Sequence, residues 1–135
     1  MRYHESEEMY LETILLLQNK NQFVRSIDIA MELGYSKPSV SVAVKKLVNE
    51  GLITVESGGK IALTALGERR AVDIYDRHRV ITELLVRIGA NRVVAEENAC
   101  RIEHVVSSEL IEVIRESLKQ NQIAVPCPTD MECAI

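Results

Sequence analysis

Residues 25–51, RSIDIAMELGYSKPSVSVAVKKLVNEG, decide the fold. From Arg25 to Leu33 the apolar residues Ile27, Ile29, Ala30 and Leu33 recur at helical spacing. Ser26 stands where an N-cap belongs and Gly34 where a helix stops. Only Gly34-Tyr35 intervenes before Ser36 caps a second helix with Pro38 in its first turn, where a missing N–H is harmless. Val40, Val44, Leu47 and Val48 form the inner stripe of that second helix, serines and lysines occupy its outer face, and Gly51 ends it. Two short helices around a tight glycine turn, the second polar outside, make a helix-turn-helix, the motif whose second helix enters the DNA major groove.

Upstream, Glu5 to Lys20 predicts a helix from Met9, Tyr10, Ile14, Leu15 and Leu17, with Ser6 as its cap. Met9 and Glu12, three residues apart, share one side of it. Downstream, Leu52–Val55 and Lys60–Leu63 are β-prone runs around Glu56-Ser57-Gly58-Gly59, a hairpin that reads as a wing. Thr64 caps a long helix from Ala65 to Ile88, polar at first, apolar at Val80, Ile81, Leu84, Leu85 and Ile88, and ended by Gly89. Asn91 to Val106 predicts a further helix. Ser107 and Ser108 start a last one, Glu109 to Lys119, with Leu110, Ile111, Ile114 and Leu118 on its apolar side. Beyond Gln120, Pro126, Pro128 and a lack of periodicity predict a flexible tail. The expected fold class is mainly α: an N-terminal winged helix-turn-helix followed by an all-α domain.

At 135 residues and 47% hydrophobic, the chain can bury one respectable core or two small ones. With no Trp and one Phe, that core must be aliphatic. No run of 18 apolar residues and no signal-peptide pattern occur, so a cytoplasmic chain away from membranes is expected. Cys100, Cys127 and Cys133 are odd in number and poorly spaced for a disulfide framework, in keeping with a reducing compartment. The net charge of −4 is unevenly spread. Lys20 to Arg70 holds eight Lys/Arg against five Asp/Glu, and the rest holds eight against fifteen. A basic DNA reader and an acidic cation-binding part would divide charge in this way.

Ala99-Cys100-Arg101-Ile102-Glu103-His104 supplies a thiol, a carboxylate and an imidazole at i, i+3 and i+4, one face of the expected helix. A divalent transition metal accepts all three, and thiolate with imidazole turns the site away from Mg and Ca. Such triplets also arise by chance, as a buried Cys beside a solvated Glu-His pair. The metal reading therefore depends on further donors elsewhere in the chain.

EMYLETI in the first helix, RSIDIAMELGYSKPSVS in the reader, LTALGE after the wing, RHRV and ACRIEHVVSSEL together resemble the metal-dependent transcriptional repressors typified by the diphtheria toxin repressor and the manganese transport regulator. The likeness covers residues 5 to 120. It implies a homodimer that binds a divalent metal and then grips palindromic double-stranded operator DNA. Carried over by position, it implies Met9, Glu12, His78, Cys100, Glu103 and His104 as metal ligands. It also implies domains at 1–70 for DNA binding and 71–120 for dimerisation and metal binding, with 121–135 as tail. Two ancillary positions of the iron-type members carry Thr82 and Glu96 here, and a third, SH3-like module has no room. The manganese-type members have acids where Met9 and Cys100 stand. Thioether and thiolate favour iron(II), cobalt, nickel, zinc or cadmium over manganese(II), which prefers oxygen. Iron(II) is the expected co-repressor, with manganese(II) second.

For DNA, Ser36, Lys37, Pro38, Ser39 and Ser41 line the exposed start of the reader helix, with Arg25 and Lys45 placed for phosphates. Part of that serine run also serves simple capping and solvation. Lys60 on the wing, with Arg69 and Arg70, adds backbone contacts. Val42 stands where iron-type members carry a Gln that reads DNA, so a different operator is expected. Rival readings are a winged-helix regulator of a small organic ligand, a metal-dependent hydrolase and a thiol sensor acting through Cys100. No HExxH or nucleophile motif supports an enzyme, and no small organic substrate is expected. Cys127 and Cys133 could hold a soft metal, but two cysteines without a second pair favour disorder.

Overall fold

The computed structural model describes residues 7–21 and 23–120; the expected Ser6 cap, the tail 121–135 and Cys127 and Cys133 lie outside them. Among the described residues the order is α1 (Glu7–Lys20), α2 (Ser26–Leu33), α3 (Lys37–Asn49), β1 (Ile53–Val55), β2 (Ile61–Leu63), α4 (Ala65–Arg87), α5 (Arg92–Ile102) and α6 (Ser108–Lys119). The chain divides into two compact units between Asp76 and Arg77, within α4. Each unit has its own apolar core.

In the first unit α1 turns Tyr10, Leu11, Ile14 and Leu17 inward, the i, i+3/i+4 pattern of a one-faced helix. They pack with Ile29 and Ala30 of α2, Val40, Val44 and Leu47 of α3, and Leu52, Ile53 and Ile61 of the wing. Each such aliphatic side chain contributes about 1.5–3 kcal/mol by leaving water. The turn between α2 and α3 rests on Gly34, at φ 71°, whose N–H reaches the Ala30 carbonyl at 2.9 Å. A left-handed residue there releases the helix without a Cβ clash. Ser36 Oγ accepts from the Ser39 N–H at 3.3 Å and starts α3.

The wing is a two-stranded antiparallel sheet with Ile53 opposite Leu63, Thr54 opposite Ala62 and Val55 opposite Ile61. It is anchored at three points. The Ile61 N–H donates to the Val24 carbonyl at 2.8 Å, tying β2 to the segment before α2. Thr64 Oγ1 donates to the Gly51 carbonyl at 2.7 Å and accepts from the Gly67 N–H at 3.1 Å, so one hydroxyl closes the wing and caps α4. Gly67 then lies so close to β1 that a Cβ would meet the Leu52 carbonyl oxygen at 1.9 Å.

Several local expectations change, among them the apolar stripes, from which Ile27, Leu110 and Ile88 turn out to solvent. Ser26 is the first residue of α2, and the N-cap position belongs to Arg25, whose backbone N–H donates to Asp28 Oδ2 at 2.8 Å. Aspartate at the third helical position thus does the work assigned to a serine. Val48 is 40% exposed and leaves the inner stripe of α3 to Val40, Val44 and Leu47. The fifth helix stops at Ile102 rather than Val106. The Glu103 carbonyl, which a longer helix would offer to residue 107, instead accepts from Arg77 Nη1 at 2.9 Å. Ser107 Oγ accepts from the Leu110 N–H and begins α6.

The Leu52 carbonyl leaves no space at position 67. Gly67→Ala should cost about 1–3 kcal/mol as an overpacked contact. The expected sign is a lower urea midpoint with an unchanged m-value.

Candidate metal centre and nucleic-acid interface

The second unit brings three of the expected ligands together. The donor atoms of His78 on α4, Cys100 on α5 and Glu103 at the end of α5 all lie within 4.8 Å of one another. Glu103 is fully buried, a place a carboxylate occupies only with partners. Its Oε2 meets His78 Nδ1 at 2.8 Å, and its Oε1 lies 3.3 Å from His104 Nε2. Oε1 accepts no hydrogen bond among the described residues. One thiol, one carboxylate and imidazole nitrogen at this spacing suit a divalent transition ion.

The early end of α5 gives this geometry. Cys100 projects from the last helical turn, Glu103 sits at the C-cap, and His104 lies beyond the helix rather than on its face. Arg77 fastens the corner, with Nη1 on the Glu103 carbonyl at 2.9 Å and Nη2 on Ser108 Oγ at 3.4 Å. Ile81, Ala99 and Ile111 pack behind it. Thr82, one turn after His78, is buried, and its Oγ1 has no hydrogen-bond partner among the described residues. Glu96 is exposed.

His78 titrates above its usual 6.5, chiefly through the hydrogen bond to Glu103. Burial opposes the shift, and the charges of Glu103 and Glu96 add to it. Protons therefore compete with a metal for this imidazole up to a higher pH than at an ordinary histidine.

Met9 and Glu12 belong to the first unit. Met9 Sδ accepts from the Tyr35 hydroxyl at 3.4 Å, and Glu12 is buried one turn on along α1. The expected DNA contacts fall on open surface. Arg25, Ser36, Lys37, Pro38, Ser39, Ser41 and Lys45 are exposed, while Lys60 is half-buried. Arg69 and Arg70 are exposed on α4. Sequence reasoning passed over Phe23, the single Phe of the chain. Its ring is 42% exposed and carries the Arg25 guanidinium at 4.7 Å and the Lys60 ammonium at 6.0 Å from its centroid. An aromatic two residues before an arginine was the available signal.

A helix-turn-helix with an open polar face and a cluster of donors that could hold a metal are the two parts that a metal-responsive regulator of transcription requires. The family model for the iron dependent repressor N-terminal DNA binding domain matches residues 3–60, and that for the iron dependent repressor metal binding and dimerisation domain matches residues 64–129. The chain belongs to this family, whose members are DNA-binding repressors rather than enzymes. It is 33% identical over 106 residues to the transcriptional regulator MntR of Escherichia coli O6:H1, covering 78% of this chain and 68% of that protein. Over 107 residues it is 34% identical to the diphtheria toxin repressor of Corynebacterium diphtheriae, covering 78% and 47%. The solved structure of the manganese regulator SloR matches with a TM-score of 0.73 at 30% identity, covering 90% of this chain and 55% of that one. The chain thus spans about half the length of the last two. No described helix is long and apolar enough to cross a membrane.

The His78–Glu103 pair fixes a pH response in the metal-free chain. A histidine held above its usual 6.5 stabilises the fold fully below that value, and the contribution fades as pH rises through the raised one. Glu103→Gln should lower the His78 titration point, read by NMR, and flatten this part of the stability profile. A His78 titration unmoved by Glu103→Gln would remove the pair as its cause.

Proposed function

We propose that the chain is a cytoplasmic, homodimeric repressor that binds a palindromic operator when a divalent metal, iron(II) first, occupies the His78–Cys100–Glu103 cluster. The observation that carries this reading is the meeting of those three donors within 4.8 Å in a chain that also holds a winged helix-turn-helix. The ligand set proposed is Met9, Glu12, His78, Cys100, Glu103 and His104. A bound divalent ion would supply the positive charge that draws the buried carboxylate, the thiolate and the imidazoles together. His78 and Cys100 must each give up a proton for this, so occupancy falls in acid.

The residues of α3 deliver the DNA contact. Ser36, Lys37, Pro38, Ser39 and Ser41 face the groove, and Arg25, Lys45 and Lys60 face the backbone, with Arg69 and Arg70 adding charge. Val42 completes that face: it is 69% exposed in the middle of the helix. An apolar side chain in the major groove reads the thymine methyl. Two half-sites are gripped together when the dimer presents its readers about one DNA turn, roughly 34 Å, apart. By linkage, whatever raises operator affinity through metal also raises metal affinity through operator.

Manganese(II) is the second reading, favoured by the likeness to the manganese regulator SloR. Oxygen donors suit manganese(II), and sulfur suits the later metals, so Cys100 decides between them. Duplexes selected from a random pool should bind at least about ten-fold tighter with iron(II) than with chelator, under reducing conditions; equal affinity would end the reading. Cys100→Asp should shift preference toward manganese(II), read as the ratio of the affinities for the two metals before and after the change.

For α3 the test is chemical. Replacing one half-site thymine by uracil should weaken binding about three- to four-fold, the worth of one buried methyl group. Val42→Ala should erase that difference. If no thymine-to-uracil exchange alters binding, Val42 does not read a methyl group.

A further inference from the structure

We propose that Phe23 is a positioning residue that assembles Arg25 and Lys60 into one phosphate-binding spot beside the wing turn, a role that rests on the DNA-binding reading above. The ring is 42% exposed, although it is the largest apolar group between α1 and α2. It does not fill the core of the first unit. Its surroundings are cations: the Arg25 guanidinium carbon lies 4.7 Å from the ring centroid and the Lys60 ammonium nitrogen 6.0 Å. Neither cation has an acidic side chain within ion-pair distance among the described residues. The Asp28 carboxylate is engaged by the Arg25 backbone N–H.

Two like charges drawn to one ring repel each other, and the electron-rich face of the ring offsets part of that repulsion. The rest is relieved by an anion. The spot is built rather than accidental, because its parts come from separate segments. Phe23 and Arg25 precede α2, whereas Lys60 leads into β2. The Ile61 N–H on the Val24 carbonyl, at 2.8 Å, holds the two segments in register. Gly58 of the wing turn, at φ 83°, lies against the ring, since a Cβ there would sit 3.7 Å from the Phe23 para carbon. Ser26 and Ile27, next to Arg25, line one cavity with Lys37 and Ser41 of α3, so the spot adjoins the start of the helix that enters the groove. The ligand class is therefore a backbone phosphate of duplex DNA. Phe23 reaches it only through the two cations whose side chains it restrains.

The test uses the full chain and a mixed-sequence duplex, so that no operator need be known, and reads affinity across about 50 to 200 mM salt. Arg25→Ala should reduce the salt slope by about one, the mark of one lost phosphate contact. Phe23→Leu should lower affinity at low salt about three- to ten-fold and lower the slope by up to about one. Phe23→Tyr should keep both at the wild-type values. In the Arg25→Ala, Lys60→Ala background, Phe23→Leu should change nothing further. A wild-type affinity and slope in Phe23→Leu, a Tyr variant as weak as the Leu variant, or a Leu loss that persists without the two cations would each overturn the role of Phe23 alone. A wild-type chain that binds no duplex would overturn the DNA-binding reading with it.

Discussion

The buried carboxylate of Glu103 is the constraint around which the second unit is arranged. A charge removed from water is tolerated only where partners replace its solvation, and an isolated one would take up a proton instead. Here His78 meets one oxygen and His104 stands beside the other. Arg77 holds the backbone of the same residue through its carbonyl. That bond falls where α5 ends, at the C-cap residue that carries the carboxylate. Helix end, buried acid and donor cluster are three aspects of one contact between α4 and the α5–α6 corner.

The first unit answers to backbone hydrogen bonds rather than to charge. Its wing has strands of only three residues, too short to persist without support. Support comes from the Thr64 hydroxyl, the Val24 carbonyl and the close fit of Gly67 on Leu52. The wing is accordingly part of the α1–α3 core, which Leu52, Ile53 and Ile61 join. A reader helix braced in this way presents Ser39, Val42 and Lys45 on a rigid frame.

Much of this was legible in the sequence because the signals were local. Glycines at 34, 51 and 89, Ser36 as a cap, and the aliphatic spacing of α1 and α3 marked the elements to within a residue or two. The end of α5 was not legible, because no glycine or proline marks it, and the Glu103 carbonyl there turns to Arg77, 26 residues away in sequence. Ser26 misled for a different reason: Asp28 serves the N-terminus of α2 equally well, and spacing cannot choose between them. The thiol–carboxylate–imidazole triplet pointed to a donor cluster, but by helical geometry that the chain does not keep at His104. His78 entered only through resemblance, since nothing near it in sequence suggests a ligand. Phe23 escaped because its partners are a residue before α2 and another beyond the wing turn.

The donors of the second unit differ sharply in their exposure. Cys100 is exposed, His78 half-buried and Glu103 sealed from solvent. If a divalent ion binds there as proposed, depth would set the order in which it met these donors, sulfur first and the sealed carboxylate last. Discrimination between metals would then lie in the rate of entry as well as in the affinity of the finished site.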